Sequence, residues 1–181
     1  MKSELELKFL KLLRKPIKSN VEIEEKEKLR NLFTEELKRE IKDLSKELKE
    51  AEVKYTDPWD LVNASEPYPD AINILITHLS KQYHYRNKQG IVRALTVKEA
   101  RGKANATLIA EYNKVPKDKE NDSLRWAIGN AIWFIITPND IESILPIVED
   151  KKNGMSRHRF VLALGKIKSK KSEKCFNKAA Q

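Results

Sequence analysis

Three segments of the chain follow one template: Lys88-Gln-Gly-Ile-Val-Arg-Ala-Leu95, Arg125-Trp-Ala-Ile-Gly-Asn-Ala-Ile132 and Arg157-His-Arg-Phe-Val-Leu-Ala-Leu164. Each begins with a basic residue, places Ile or Phe three positions on, and Ala followed by Leu or Ile six and seven positions on. At about 100° per residue the Ile/Phe, Ala and Leu/Ile positions fall on one helix face. The alanines recur after 37 residues (Ala94 to Ala131) and again after 32 (Ala131 to Ala163). A unit of that length is a pair of helices that cannot bury its apolar face alone, so successive units must stack. Stacked helical pairs are usually binding scaffolds.

The first helix of each pair aligns as well. Ala71, Leu75 and Leu79 correspond to Ala104, Leu108 and Tyr112, and then to Ile141, Leu145 and Glu149. The predicted pairs are 69–81 with 85–96, 98–114 with 122–136, and 139–150 with 155–167. Residues 170–179 read as the first helix of a fourth pair that lacks its second. Pro69, Pro138 and Asn139-Asp140 are helix-start signals, and Asn153-Gly154 is a turn signal.

Ahead of the repeats, Leu5, Phe9, Leu12 and Leu13 mark a short helix over 2–15 that Pro16 should stop near Lys15. A second run, from near Val21 to about Tyr55, carries Leu37, Ile41, Leu44, Leu48 and Ala51 at steps of 4, 3, 4 and 3. It predicts one long amphipathic helix. Residues 1–56 are thus a helical hairpin capping the stack, or a coiled-coil segment; a seam under three heptads long favours the hairpin. Residues 57–68 are a Pro-rich linker, in which Pro58 and Pro67, with Pro69 next, argue against regular helix. Trp59, Leu61 and Tyr68 predict that the linker lies on the core. Residues 69–181 form the repeat domain.

Composition narrows the class. Hydrophobic residues at 40% support a core, and 5 glycines and 7 prolines are few for an all-β chain. One cysteine, Cys175, excludes an intramolecular disulfide framework and fits a reducing compartment. The first residues lack the apolar stretch of a signal peptide, and the run Ala127 to Thr137 is too short to span a bilayer. A cytoplasmic protein outside the membrane is expected. Residues 151–181 hold 10 basic side chains and 1 acidic, so this end carries the formal net charge of +9. Its basic patch comprises Lys151, Lys152, Arg157, Arg159, Lys166, Lys168, Lys170 and Lys171. Such an end attracts nucleic acid, an acidic protein or anionic lipid, or is simply a solvated tail.

The chain resembles the HEAT-like repeat family over about residues 66–168. The similarity is to bacterial proteins with the run seen here as Tyr68, Pro69, Asp70, Ala71, Ile72, Leu75, His78 and Leu79, followed by Gly90 to Arg101. The resemblance implies an all-α, right-handed α-solenoid of about three HEAT-like helix pairs plus a half repeat, preceded by the helical hairpin. It implies no intrinsic catalysis, and roles as adaptor, assembly factor or immunity-type binder. It also implies that the basic residue opening each second helix (Lys88, Arg125, Arg157) bonds turn groups of the adjacent repeat. Irregular repeat length, Gly129 inside a second helix and the abrupt end depart from the family pattern.

In such solenoids the second helices line the concave face. Their stripes opposite the core are Arg86, Gln89, Arg93 and Thr96; then Ser123, Trp126, Asn130 and Trp133; then Met155, His158, Leu162 and Gly165. Trp126 and Trp133 stand out, because aromatic residues away from the core stripe, beside Arg, Asn and His, are hot-spot chemistry. The competing reading is that they wedge against neighbouring helices. The expected partner surface is Arg86, Gln89, Arg93, Trp126, Asn130, Trp133, His158 and Leu162. The expected ligand is a helix or extended segment of another protein. Nucleic acid bound by the basic end is the alternative, and glycosylase-like chemistry a distant third, because no carboxylate lies in these stripes. A homodimer through the long helix, or through the apolar edge at Phe176 and Ala179, is also open.

Catalytic signals are weak. His78, His84 and His158 lack metal-ligand spacing, Cys175 has no neighbouring base, and no Gly-rich phosphate loop is present. Asp118, Glu120 and Asp122 fit a solvated turn. No catalytic residue, metal or cofactor is predicted.

Overall fold

The computed structural model describes residues 3–167, and Lys168, Lys170, Lys171, Cys175, Phe176, Ala179 and the helix expected over 170–179 lie outside them. Among the described residues every regular element is helical: α1 (Glu4–Arg14), α2 (Asn20–Glu40), α3 (Lys42–Glu50), α4 (Pro58–Val62), α5 (Ala71–Leu79), α6 (Tyr85–Ala94), α7 (Asn105–Lys114), α8 (Asp122–Ile135), α9 (Ile141–Glu149) and α10 (Gly154–Lys166). None of these helices is long and apolar enough to cross a membrane. They fall into two compact units, one up to Lys42 and one from Asp43 onward.

In the first unit α1 packs on α2. Ser3 caps α1 by accepting the Glu6 N–H, and its hydroxyl donates to Glu36 Oε2 at 3.2 Å. Phe9 meets Phe33 with ring centroids 6.1 Å apart. Lys15, before Pro16, is extended and ends α1 as the proline requires. Ser19 and Glu22 then form a capping box that starts α2.

The single long helix expected to Tyr55 is two helices. Ile41 leaves the helical region at ψ 17° and separates α2 from α3. No Gly or Pro marks this break. Ile41, Leu44 and Leu48 are each buried. At the end of α3 the Val53 N–H bonds Leu48 O and the Glu52 N–H bonds Lys49 O, with Glu52 at φ 55°. That is a Schellman stop with glutamate where glycine is usual. The linker corrects a second expectation. Its Asp57 accepts the Trp59 N–H at 2.8 Å, and Pro58 occupies the first turn, so the residues that block a long helix nucleate the short α4.

The repeat region of the second unit consists of three consecutive helix pairs, α5/α6, α7/α8 and α9/α10. The second helices α6, α8 and α10 pack side by side, and α4 lies on α6. The template's core positions are fully buried in all three copies: Ile91, Ala94, Leu95; Ile128, Ala131, Ile132; Phe160, Ala163, Leu164. The alignment of first helices holds for Leu75 and Leu108 and slips in the last copy. Ile144, Ile147 and Val148 are buried there, whereas Glu149 is exposed. The linker's Leu61 is buried and its Tyr68 hydroxyl donates to Ala94 O at 2.8 Å; burial pushes that hydroxyl up to about 12. Trp59 lies where a Cβ on residue 90 would stand, 2.9 Å from its Nε1, which is why α6 carries Gly90.

The basic residues opening the second helices are anchors; Arg125 reaches a turn group of the adjacent pair as expected, whereas Arg157 and Lys88 find other partners. Arg125 is 2% exposed. It donates to Val115 O at 2.8 Å and Tyr112 O at 3.4 Å, at the C-terminus of its own pair's first helix. It also donates to Asn153 Oδ1 at 2.6 Å, in the turn of the next pair, and lies 4.1 Å from the Tyr112 ring centroid. Arg157 likewise donates to Val148 O near the end of α9. Carbonyls at a helix C-terminus carry partial negative charge, so a buried cation is stabilised there without a carboxylate. Lys88 instead pairs with the buried Glu111 on α7, in the adjacent pair. Arg125→Ala would strip the donor from Val115 O and Asn153 Oδ1 and open a void, which should cost about 3 kcal/mol. Thermal melting should show a midpoint lower by roughly 10 °C; an unchanged midpoint would contradict the anchoring role.

Candidate functional site

The stripes expected to face outward lie on three adjacent helices: Arg86, Gln89 and Arg93 on α6, Trp126, Asn130 and Trp133 on α8, His158 and Leu162 on α10. Arg93 and His158 are exposed; the other six are half-buried. Cross-helix contacts join the stripes. Gln89 Nε2 donates to Ser123 Oγ at 2.6 Å, linking α6 to α8. Arg86 is partly engaged nearby, its Nε donating to Tyr85 Oη at 3.3 Å.

Between α8 and α10 the link is a ladder of cations and rings. The Arg159 guanidinium carbon lies 4.6 Å from the Trp126 ring centroid and 5.9 Å from that of Trp133. Lys166 Nζ lies 4.5 Å from Trp133 and 5.9 Å from Phe134, and also donates to Trp133 O at 2.8 Å. The match follows from periodicity. Trp126 and Trp133 are seven residues apart on α8, and so are Arg159 and Lys166 on α10, so both pairs repeat after two turns. On α6, Arg93 is 5.9 Å from the Trp59 ring of α4. Each such contact contributes about 0.5–1 kcal/mol at a half-exposed site, enough to hold a side chain in place without defining the fold. Arg159, Arg93 and the Trp126 and Trp133 indole N–H groups have no hydrogen-bond acceptor among the described residues.

The close approach that builds the ladder depends on Gly129. A Cβ there would stand 3.0 Å from Arg159 Cβ, 3.2 Å from the Phe160 ring and 3.2 Å from Ser156 O. The glycine that breaks the repeat pattern in sequence therefore marks where α10 seats on α8.

The expected basic patch is divided. Arg159 and Lys166 join the aromatic stripe, Arg157 points to Val148 O between α9 and α10, and Lys151 and Lys152 are exposed in the 3₁₀ turn Lys151–Asn153. Trp59 and Phe134 were not among the expected site residues. Their role depends on contacts between helices, and the one local signal was Gly90, a small residue opposite a ring.

The remaining polar clusters serve the fold. His78 is fully buried, with Nδ1 2.6 Å from the Tyr83 hydroxyl and Nε2 3.0 Å from Glu47, so it ties α3 to α5. That hydrogen bond holds the Glu47 carboxyl below its usual range. Lys117 does the same for Asp150. Asp118 accepts the Asn121 N–H at 3.0 Å, closing the turn before α8. A hollow of about 190 Å³ between Glu52–Tyr55 and Glu66–Asp70 is bridged by the Lys54–Glu66 pair. Among the described residues no three His, Cys, Asp or Glu side chains are grouped as metal ligands. In the first unit Leu7, Leu13, Ile17, Val21 and Leu32 stand exposed.

No family model matches the sequence, and neither a curated protein nor a solved structure matches it.

Gly129→Ala tests the seating of α10. Alanine gains about 1 kcal/mol of helix propensity over glycine. The contacts above oppose this, and overpacking of that kind costs about 1–3 kcal/mol. The variant should melt no higher than the parent, with tryptophan emission altered by displacement of Arg159. A clear rise in melting temperature with unchanged emission would show that the helices do not need the glycine.

Proposed function

We propose that this chain is a non-enzymatic adaptor, a short HEAT-like solenoid that binds another protein through the face formed by α6, α8 and α10. One observation carries the reading: Trp126 and Trp133 stand half-exposed on that face, beside Lys166 and an Arg159 guanidinium that no described residue accepts from. Core tryptophans in a monomer fill space between helices. These two lie opposite the core stripe of their helix and offer amphipathic surface at low entropic cost, which is what hot spots are made of. The regular burial of Ile128, Ala131 and Ile132 behind them supplies a rigid base. The family resemblance points the same way, since its members act mostly by binding. The nucleic-acid alternative rested partly on Lys168, Lys170 and Lys171, outside the described residues.

The test is a tagged full-length chain compared with its Trp126→Ala, Trp133→Ala double variant. The double variant should keep its helical circular dichroism and its cooperative melt while losing the protein that co-purifies with the parent. A folded double variant that retains that protein as well as the parent does would remove the proposal.

A further inference from the structure

The face described above is cationic as well as aromatic. α6 and α10 contain no Asp or Glu, and α8 contains only Asp122, at its first residue. Arg93, Arg159 and Lys166 point along this face with ring partners in place of carboxylates. A cation seated on an aromatic ring is held in position without being neutralised. A guanidinium so held keeps its in-plane N–H groups available for two parallel hydrogen bonds to one carboxylate.

We propose, resting on the adaptor reading, that the occupant of this face is an acidic, amphipathic segment of a partner protein. Its carboxylates would engage Arg159 and Lys166, and its apolar side chains would cover Leu162 and Met155. Charge complementarity selects the acidic groups. The apolar part follows from the same α10 stripe: Met155 is 78% exposed and Leu162, between the two cations, is half-buried. Seven residues of helix separate Arg159 from Lys166, or about 10 Å along the axis. An extended segment advances about 3.3 Å per residue and returns to the same face every second residue, so its carboxylates would stand two or four residues apart. A bound helix would place them seven apart.

A nucleic-acid strand fits the same charge and fits the rings less well. Strand binding stacks bases on open aromatic faces and releases counterions from many phosphates. Here Trp126, Trp133 and Phe134 each already have a cation of this chain within 6 Å. A phosphate backbone would also leave Met155 and Leu162 uncovered.

The experiment pans a library of short random peptides on the immobilised full chain and measures the winners in solution, with single-stranded oligo-dT as the competing probe. The parent should enrich peptides that present Asp or Glu and apolar residues on one face. Arg159→Glu should weaken these peptides by about 30-fold or more, as expected for reversing a partly desolvated charge partner. Arg159→Lys should recover part of the affinity. Lys103→Glu makes the same charge change in the exposed turn before α7 and should alter binding by about twofold or less. Peptides without acidic enrichment that still need Trp126 and Trp133 would overturn the acidic partner and leave the adaptor reading standing. Failure to enrich any peptide that the double tryptophan variant loses would overturn both. Tighter retention of oligo-dT than of any peptide, lost in Arg159→Glu, would replace the protein partner with nucleic acid.

Discussion

A buried guanidinium organises the repeat region. Arg125 enters the interior with no described carboxylate paired to it, and its charge is met by Val115 O, Tyr112 O, Asn153 Oδ1 and the Tyr112 ring. Removing a cation from water is expensive unless such partners are prearranged. The last turn of α7 and the turn at Asn153 must therefore be in place together. Asn153 is fixed in turn by donating to Ile147 O at 2.8 Å, and the Tyr112 hydroxyl lies 2.7 Å from Ser156 Oγ. One side chain thus couples two consecutive helix pairs, and it fixes the rotation of α8. With Arg125, Ile128 and Ile132 turned inward, the helical period leaves Trp126, Asn130 and Trp133 nowhere to point but outward.

Much of this was legible in the sequence because it rests on periodicity. The three template copies become the three second helices, and all nine of their core positions are buried. The stripe opposite the core is where Trp126 and Trp133 are found. Local rules also sufficed for Pro16, which ends α1. They failed where the outcome depends on several contacts at once. Nothing near Ile41 announces a break, and the prolines of the linker were legible as breakers more easily than as the start of α4. The slip in α9 arose because aligning Leu145 and Glu149 by spacing ignored Ile144 and Val148, which have the stronger claim to burial. The anchors were recognised as structural from their recurring position. Which carbonyl each would meet depended on how one pair packs on the next.

The candidate face was legible only in halves. The aromatic stripe and the basic residues looked like separate features, one on α8 and one at the C-terminal end. Packing brings Arg159 and Lys166 across onto the rings, through a close approach that Gly129 permits. This turns a diffuse basic end into two positioned cations, while Arg157, two residues before Arg159, becomes an internal anchor. Neighbouring basic residues on one helix therefore do different work, decided by the roughly 200° that separates positions i and i+2.

The most direct measurement places a photo-crosslinking side chain at Asn130, between the two tryptophans, in cells that express the full chain, and sequences the adduct. An adduct to an acidic, amphipathic segment of a single protein, absent when Arg159 is reversed to Glu, is the predicted result. No adduct at Asn130, or one that persists unchanged after the reversal, would contradict a binding role for this face.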